Sequence, residues 1–597
     1  MRRSAIVYSL IAVLGLLLAL TPAALAESPS PTSDKVVYRI GTTQEYDGFN
    51  PFANWSGVTW DSFRLSYDFL TWYDENYEPA PDLASEWSVS DDGKVWTFTI
   101  REGMTWHDGE PLTAHDIAFT YNWILETEHW SYIQYLTGVT KVEAPDDTTL
   151  VITCDAPNAA MLALYIPILP EHIWKDVPDS KMETFKNLPL IGSGPFQVVE
   201  VKKSQYVKLI PNPDYPEELG GPPKIDELYY IITQNMDATV QDYKAGHLDA
   251  IVDWPAGYYE DLKGVPGGTA AAGEAIGFHE LGFNCWDDPK SKGNPLLLDP
   301  VIRAAIHWAI DQQAIVDAAM GGLATPAESL VAPIQGDWYW DVPADAKYSY
   351  DPDKAMQLLE DAGYSDRDGD GVREDAKGNK LEFRYAVMNE YTEDQAAAKK
   401  IVSWCADIGI KLKLDQKDES AFSDELYDNG DYDVYMWSWN GDIDPGFMLS
   451  IFTTTQIFNW SDCQYSNPEY DQLYIDQAQA VDPADPNDPA ARKAIIDKMQ
   501  AILYRDNPYI FLWYNVNLQA WNTDRWTGYH LVPPGGEGVP LWNMMRATYQ
   551  DLEPLAASQA DDGGTAAWVW VVIIAAVAII AGVVVWLVKR PKQIEVE

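Results

Sequence analysis

Apolar and polar residues alternate with a period of two over residues 95–100, which is the pattern of a half-buried strand. Residues 101–103 then turn the chain, and a second short strand leads into Trp106. Residues 107–109 form another turn. A helix is predicted to begin at Thr113, because threonine caps helices well, an acidic residue stands three places later, and apolar residues follow. The pattern predicts strand, turn, short strand, turn and helix in close succession.

The two ends of the chain carry long apolar runs. The first follows two arginines and ends in small residues before Glu27, so residues 1–26 are predicted to be a signal peptide. The second, 566–588, contains 23 residues without a charge, is flanked by tryptophans and is followed by basic residues. It is long enough to span a hydrocarbon core of roughly 30 Å. We expect a single-pass cell-membrane protein with an extracellular domain, a cytoplasmic tail at 589–597, and linkers at 27–34 and 550–565.

Composition excludes several classes of function. The formal net charge is −50, with 91 acidic against 41 basic side chains, so a nucleic-acid partner is not expected. The four cysteines are too few for a disulfide scaffold. The eight histidines show no metal-ligand spacing. Ser193 lies between glycines, but a nucleophile elbow needs glycine at 191, where isoleucine stands. The sequence therefore does not predict an enzyme.

The block from 95 to 120, with its sequence Trp-His-Asp-Gly at 106–109, closely resembles the signature of family 5 extracellular solute-binding proteins. This is the peptide-binding class that feeds ABC importers. Further segments similar to that family are Gly192–Phe196, Ala245–Ala250, Pro300–Asp311, Tyr350–Gly363 and Tyr465–Asp471. The resemblance thus covers nearly the whole predicted exterior part.

Strand and helix patterns alternate throughout the chain with long connections, which predicts a two-lobed α/β binding protein. The resemblance implies a periplasmic-binding-protein-like fold with an extra subdomain, to which we add one C-terminal transmembrane helix. By that analogy lobe one contains 35–68, 193–283 and 512–549. An inserted subdomain covers 69–192, and lobe two covers 284–511. The chain then crosses between the lobes near 283 and 511, where hinges are expected.

The segment 437–445 reads Trp-Ser-Trp-Asn-Gly-Asp-Ile-Asp-Pro. Peptide-binding members of the family carry Gly-Trp-x-Gly-Asp here, and the Asp meets the amino terminus of the ligand. The resemblance therefore implies that Asp442 is the anchor, with Trp439 and Trp437 beside it. The segment is one residue shorter before the proline than in the family, so Asp444 is an alternative anchor. Another interpretation is a turn whose aspartates cap a helix near Pro445.

The family's dipeptide binders hold the ligand carboxylate with an arginine after the strand that corresponds to 383–387. This chain has Met-Asn-Glu-Tyr at 388–391, without an arginine. A clamp on both ends of a short peptide is therefore in doubt. A longer peptide held through its backbone, or a different ligand, is favoured.

Residues 366–371 read Asp-Arg-Asp-Gly-Asp-Gly, spaced like the start of a calcium loop with glycine at position six. Glu374 stands at position nine, but position twelve is Lys377 instead of the bidentate glutamate, so the loop is not an EF-hand. A weak structural calcium site and a solvated acidic turn both remain open. No other cofactor is expected. The predicted ligands are Asp366, Asp368 and Asp370.

These observations predict an extracellular substrate-binding protein of an ABC importer. It would capture oligopeptides between two lobes that close by hinge motion, without covalent chemistry. Its partners would be the peptide, an ABC permease with its ATPase, and the membrane through the C-terminal helix. One alternative is an importer component that binds oligosaccharides or nickel; the content of 25 Trp and 34 Tyr favours oligosaccharides, because sugars stack on aromatic rings. Another alternative is a surface receptor that senses its ligand without transport.

Overall fold

The protein is described by a computed structural model that covers residues 35–54, 56–534, 538–541 and 545–555. Outside these residues lie the predicted signal peptide, the first linker, the segment 566–588 and the tail 589–597.

The strands in these residues are β1 (Val37–Thr42), β2 (Thr71–Tyr73), β3 (Pro79–Pro81), β4 (Ala84–Val89), β5 (Val95–Ile100), β6 (Val139–Asp146), β7 (Thr149–Cys154), β8 (Phe196–Lys202), β9 (Tyr206–Pro211), β10 (Glu227–Ile232), β11 (Ala250–Val252), β12 (Gly268–Phe283), β13 (Glu382–Met388), β14 (Lys411–Lys417), β15 (Val434–Trp439), β16 (Tyr509–Asn522), β17 (Trp526–Thr527) and β18 (Glu553–Pro554).

The α-helices there are α1 (Gly57–Ser66), α2 (Ala114–Thr127), α3 (Glu171–Trp174), α4 (Met236–Lys244), α5 (Tyr259–Lys263), α6 (Pro300–Ala309), α7 (Gln312–Ala319), α8 (Pro352–Asp361), α9 (Thr392–Asp407), α10 (Glu419–Ser423), α11 (Gly446–Ser450), α12 (Pro468–Ala478), α13 (Ala490–Asp506) and α14 (Ala547–Asp551).

Ten strands form one continuous sheet in the order β14-β13-β15-β12-β16-β11-β1-β10-β9-β8. At one end, β13 pairs in parallel with β14 and β15, as expected of strands joined by a helix. At the other end, β1 pairs in parallel with β10 and β11. The first group lies within 284–511 and the second within 35–68 and 193–283, so the sheet extends through both lobes.

The two longest strands, β12 and β16, connect the lobes. The first half of β12 pairs only with β16, beside β11 of lobe one, whereas its second half also pairs with β15 of lobe two. The register shifts between Glu274 and Phe278, at the boundary of the two halves. Such a bulge bends a strand locally. The predicted crossings near 283 and 511 fall at the lobe-two ends of these strands.

A separate four-stranded antiparallel sheet, β4-β5-β7-β6, lies within the predicted inserted subdomain. The predicted strand 95–100 is confirmed as β5, and the predicted helix is confirmed as α2. Thr113 and Asp116 form a reciprocal capping box at its start. The predicted short strand into Trp106 is reduced to one bridge between Thr105 and Pro111.

The signature turn at 106–109 binds the glycine-rich turn at 192–194. Gly192 donates its N–H to Nδ1 of His107 at 3.1 Å, so Nε2 carries the proton and donates to the carbonyl of Gly194 at 3.0 Å. A side chain at Gly192 would collide with the carbonyl of Ser66. Ser193 accepts the backbone N–H of Asp68 at 3.2 Å, so its hydroxyl has a structural partner.

One component of the predicted fold class is corrected. The two-lobed α/β part agrees with the structure, but the added transmembrane helix is not supported. None of the helices in the described ranges is both long and apolar enough to cross a membrane. The segment 566–588, on which that prediction relied, lies outside these ranges. The fold class is therefore a two-lobed α/β periplasmic-binding-protein-like fold, without an assigned membrane helix; the inserted subdomain stays a prediction.

Candidate ligand-binding cleft

A cavity of about 1200 Å³ lies between the lobes, over the middle of β12 and β16. Its walls come from α1 and the loop after β11 in lobe one, from the inserted subdomain, and from the loops after β13 and β15 in lobe two. The volume exceeds the roughly 300–1,000 Å³ typical of pockets for drug-sized ligands. The cavity is therefore large enough for an extended ligand that contacts both lobes.

The inserted subdomain touches lobe two at the edge of this cavity. The hydroxyl of Tyr135 donates to Oδ2 of Asp442 at 2.7 Å, and the N–H of Ile443 donates to the hydroxyl of Tyr165 at 3.1 Å. The indoles of Trp130 and Trp460 lie 6.2 Å apart between ring centroids. These contacts bridge the cleft, so the structure represents a closed arrangement of the lobes.

Asp442, the predicted anchor, lies on the cavity wall directly after β15. Burial raises the pKa of its carboxyl to about 6, although the hydrogen bond from Tyr135 and the charge of Arg64 act in the opposite direction. Arg64 is itself 5% exposed, and its guanidinium lies 5.2 Å from the centroid of the Trp60 ring. Asp442 thus places a carboxyl group on the cavity wall, next to the charge of Arg64.

The two predicted tryptophans differ in their surroundings. Trp439 lines the cavity, and its Nε1–H donates to Oδ2 of Asp462 at 3.0 Å. Trp437 stacks on Phe422 with centroids 5.5 Å apart and does not line the cavity. Only Trp439 is therefore placed where it can contact a ligand in this arrangement.

Asp444, the alternative anchor, is engaged elsewhere. Asp444 is 9% exposed, and its carboxylate forms a two-point ion pair with Arg492, including a hydrogen bond of 2.8 Å from Nη2. It also accepts the N–H of Gly446 at 2.7 Å, at the start of α11. The N-cap of α11 is Pro445, without a side-chain capping hydrogen bond, so Asp444 stabilises the turn before the helix and is not its N-cap residue. Asp444 does not line the interlobe cavity.

The wall of lobe two contains a polar group that sequence reasoning missed. Asp394, in the first turn of α9, lines the cavity and is only 3% exposed. Its Oδ1 has no hydrogen-bond partner and lies 3.5 Å from Nε2 of His279. Burial, then the charge of Glu393, raises the pKa of Asp394 to about 7, and burial lowers that of His279 to about 4. No sequence signal indicated it, because Asp394 and His279 lie on α9 and β12 and meet only in the tertiary fold.

The orientation of His279 follows from its neighbours. Asn515 donates through Nδ2 to the carbonyl of Trp439 at 2.9 Å and to Oδ1 of Asn440 at 3.0 Å, so its Oδ1 is an acceptor. Nδ1 of His279, 2.9 Å from that oxygen, must then carry the proton. Nε2 therefore presents a lone pair to Asp394. Above the pKa of about 7 of Asp394, two acceptors therefore face each other at the cavity wall.

The predicted calcium loop lies away from this cavity, on an exposed turn after α8. Carboxylate oxygens of Asp366, Asp368 and Glu374 lie within 4.8 Å of one another. Asp370 is not part of that group. Its Oδ2 is paired with the ammonium group of Lys380, which also pairs with an oxygen of Asp368. The structure thus brings together two of the three predicted ligands and adds Glu374.

Comparison with known proteins identifies the family. Residues 78–460 match the model of the middle part of the bacterial extracellular solute-binding proteins, family 5. The chain belongs to this family. The family 5 protein is 29% identical over 516 residues to the oligopeptide-binding protein AppA of Bacillus subtilis, covering 83% of this chain and 88% of AppA.

Solved structures have the same fold. AppA of B. subtilis in complex with a nonapeptide matches with a TM-score of 0.71 and 26% identity, over 87% of this chain and 99% of AppA. The ABC transporter substrate-binding protein CtaP of Listeria monocytogenes matches with a TM-score of 0.73 and 25% identity, over 87% of this chain and all (100%) of CtaP. An oligopeptide-binding protein of Thermotoga maritima with bound mannohexaose matches with a TM-score of 0.70 and 23% identity, over 87% of this chain and 99% of the T. maritima chain. This likeness supports the fold alone.

These findings confirm the predicted family and the extracellular solute-binding class. Asp442, Trp439, Trp437 and Asp444 stay predicted ligand-binding residues. The single-pass anchor predicted from the C-terminal run is not supported by the described residues.

Proposed function

We propose that this protein captures oligopeptides in the interlobe cleft outside the cytoplasm and delivers them to an ABC permease with its ATPase. The observation that carries the proposal is the 1200 Å³ cavity with the Asp442 carboxylate on its wall. An ammonium group of a peptide amino terminus would form a charge-assisted hydrogen bond there. The relative AppA, whose structure contains a nonapeptide, supports a ligand of this size. Binding is noncovalent and closes the lobes, because a bound peptide contacts both of them.

The anchor is tested by peptide titration of the purified full chain at pH 7.5, above the pKa of about 6 of Asp442. Peptides with a free amino terminus should bind more tightly than their N-acetylated forms. A charge-assisted bond of about 1.5–3 kcal/mol corresponds to a ratio of roughly 10 to 150. In Asp442→Asn the ratio should fall toward one. The matched control is Asp345→Asn, because Asp345 is exposed and lies outside the cavity.

An unchanged ratio in Asp442→Asn would remove the anchor role from Asp442. Failure of all peptides to bind the wild type would overturn the proposed function. Transport requires a second measurement: uptake of a labelled peptide by cells that produce the permease and ATPase, with and without this protein. Equal uptake in both would favour a sensing receptor.

Oligosaccharides are the second candidate ligand, because six tryptophans line the cavity and indole faces stack on sugars. The T. maritima neighbour contains mannohexaose. The lining tryptophans are Trp60, Trp130, Trp254, Trp439, Trp460 and Trp513. A thermal-shift comparison of peptides with oligosaccharides separates the two, since only the true ligand class raises the melting temperature at low concentration. Nickel lacks comparable support: the one acidic metal-type cluster found in the described residues lies outside this cavity.

A further inference from the structure

The described residues that line the cavity are strongly acidic. They include six carboxyl groups but a single guanidinium, that of Arg64, and no lysine. The carboxyl groups are those of Asp61, Asp253, Glu390, Glu393, Asp394 and Asp442.

These carboxyl groups are on both sides of the cleft. Asp61 on α1 and Asp253 after β11 belong to lobe one, whereas the other four belong to lobe two. Closing the lobes brings like charges toward each other in a space with limited water, which is unfavourable without a counter-charge. A cation between the lobes reverses this effect.

Arg64 compensates only part of the acidic lining. Its charge interacts with Asp442 and Asp61, and with the hydroxyls of Tyr135 and Tyr165. The segment 390–394 after β13 has no lysine or arginine beside it in the cavity lining, and its basic neighbour His279 is held neutral because burial lowers its pKa to about 4. The uncompensated negative charge is therefore concentrated on the wall of lobe two that contains Asp394, away from the Asp442 anchor.

Asp394 lies on that wall and lacks a hydrogen-bond donor for one of its oxygens. It is buried, and its Oδ1, which has no hydrogen-bond partner, lies 3.5 Å from the lone pair on Nε2 of His279. Two facing acceptors are satisfied only by a proton or by a group with several N–H donors. An ammonium or guanidinium group supplies such donors together with the compensating charge.

We propose that Glu390, Glu393 and Asp394 form a subsite for a cationic side chain, so that the preferred ligands are peptides containing lysine or arginine. This inference rests on the proposed peptide function and adds the chemical class of the peptide. One cationic group, the amino terminus, lies at Asp442, and a second lies against Asp394. The two together neutralise both lobes and favour closure.

The test is calorimetric titration of the purified full chain at pH 8 with nine-residue peptides that differ at one position, in turn lysine, methionine and glutamate. At low ionic strength, the best lysine peptide should bind at least about 10-fold more tightly than its methionine counterpart, and the glutamate peptide more weakly. Raising the salt to about 0.5 M should reduce the ratio. The ratio of the affinity for the lysine peptide to that for the methionine peptide should fall in Asp394→Asn and further in the double variant Glu390→Gln/Asp394→Asn. The control Asp345→Asn should keep the wild-type ratio.

Methionine and lysine peptides that bind the wild type equally at every position would overturn the subsite while leaving the proposed function intact. Full retention of the ratio in the double variant would also overturn it. If no peptide of any charge binds, both proposals fail.

A different observation supports a metal site on the loop after α8. Asp366, Asp368 and Glu374 have carboxylate oxygens within 4.8 Å of one another, and Glu374 is only 5% exposed. One oxygen of Glu374 accepts the N–H of Arg367 at 2.9 Å, whereas its Oε2 is buried without a partner. A buried carboxylate oxygen without a donor is costly unless a cation meets it.

We infer that Asp366, Asp368 and Glu374 bind one calcium ion, for which an all-oxygen ligand set is suited. Both oxygens of Asp366 accept backbone N–H groups of the loop, from Gly369 at 2.7 Å and Gly371 at 2.9 Å, which holds the carboxylate in place. The ammonium group of Lys380, paired with Asp368 at 2.7 Å, competes with the ion. The affinity should therefore lie in the weak range, with a Kd of about 10⁻⁴–10⁻³ M.

The test is the melting temperature of the chelator-treated full chain as calcium chloride is added, with magnesium chloride at equal ionic strength as the control. Calcium should raise the melting temperature of the wild type and should do so at lower concentration in Lys380→Gln. Glu374→Gln should abolish the rise, whereas the exposed Glu126→Gln should keep it. No rise up to about 10 mM calcium, or an equal rise in Glu374→Gln, would overturn the site.

Discussion

His107 explains at the residue scale why the signature turn has its sequence. Its ring joins two turns, accepting from Gly192 and donating to Gly194, and burial lowers its pKa so that the neutral form is retained. Neither aspartate nor lysine can accept and donate in this way through two ring nitrogens. The histidine is therefore a structural residue that attaches the inserted subdomain to lobe one.

His107→Ala should lower the free energy of unfolding by about 1–3 kcal/mol, because two backbone groups lose their partners. His115→Ala is the matched control, since His115 is exposed on α2. Urea unfolding of both variants measures the difference. Equal stability of the two would show that the ring does not hold the turns together.

The buried carboxyl of Asp394 should make stability depend on pH. Its pKa is about 7 in the folded protein, above the value near 3.9 for an exposed aspartate. The carboxyl of Asp394 contributes favourably to the free energy of unfolding below pH 4. This contribution is lost as the pH rises through 7, because the carboxyl loses its proton less readily in the folded than in the unfolded state. The groups that face it are Glu393, His279, Glu280, Tyr385 and Tyr391.

Asp394→Asn should therefore be more stable than the wild type at pH 8, by up to about 4 kcal/mol, and similar to it near pH 4. Thermal unfolding of ligand-free protein at the two pH values measures this. A variant that is less stable at pH 8 would show that the carboxylate has a favourable partner there.

At the element scale, the crossing strands β12 and β16 form both the floor of the cleft and the link between the lobes. The bulge between Glu274 and Phe278 places Ala275 and Ile276 in the cavity wall. Gly277 has φ of 122°, and a Cβ there would collide with the carbonyl of Trp439. Only glycine allows β12 to approach the ligand loop so closely.

Gly277→Ala should destabilise the fold and weaken ligand binding together, because it displaces the loop that contains Asp442. Gly257→Ala is the control: it has no positive φ, and its Cβ would meet nothing within 4 Å. Calorimetric affinity and melting temperature of both variants decide the matter. Wild-type affinity in Gly277→Ala would mean that the close approach is not needed for the site.

Strands and helices were predictable from the sequence where the pattern of neighbouring residues determines them. The alternation at 95–100 and the capping box at Thr113 depend on neighbouring residues only, and both are confirmed. The Asp394 and His279 pair was not predictable, because the two residues lie on α9 and β12 and meet only in the tertiary fold. Similarly, the engagement of Asp444 depends on Arg492, which is 48 positions away in the sequence.

At the scale of the whole molecule, closure is an equilibrium that depends on charge. Both walls of the cleft are acidic, so the ligand-free protein should favour more open arrangements at low salt. A peptide that contacts both lobes shifts the population only through its higher affinity for the closed state. The hydrogen bond from Tyr135 to Asp442 is one contact that belongs to the closed state.

The radius of gyration of the full chain should therefore decrease when a lysine-containing peptide is added, and to a smaller extent when the salt is raised from about 20 mM to about 0.5 M without peptide. Small-angle X-ray scattering measures both changes. A radius that does not respond to saturating peptide would contradict hinge closure in this protein.

The most direct measurement is a crystal structure of the protein with a lysine-containing peptide. The peptide should lie between the lobes, with its amino nitrogen about 3 Å from the carboxylate of Asp442 and a lysine side chain against Asp394. A peptide bound outside the interlobe cavity, or one inside it that contacts neither carboxylate, would contradict the proposed mode of recognition.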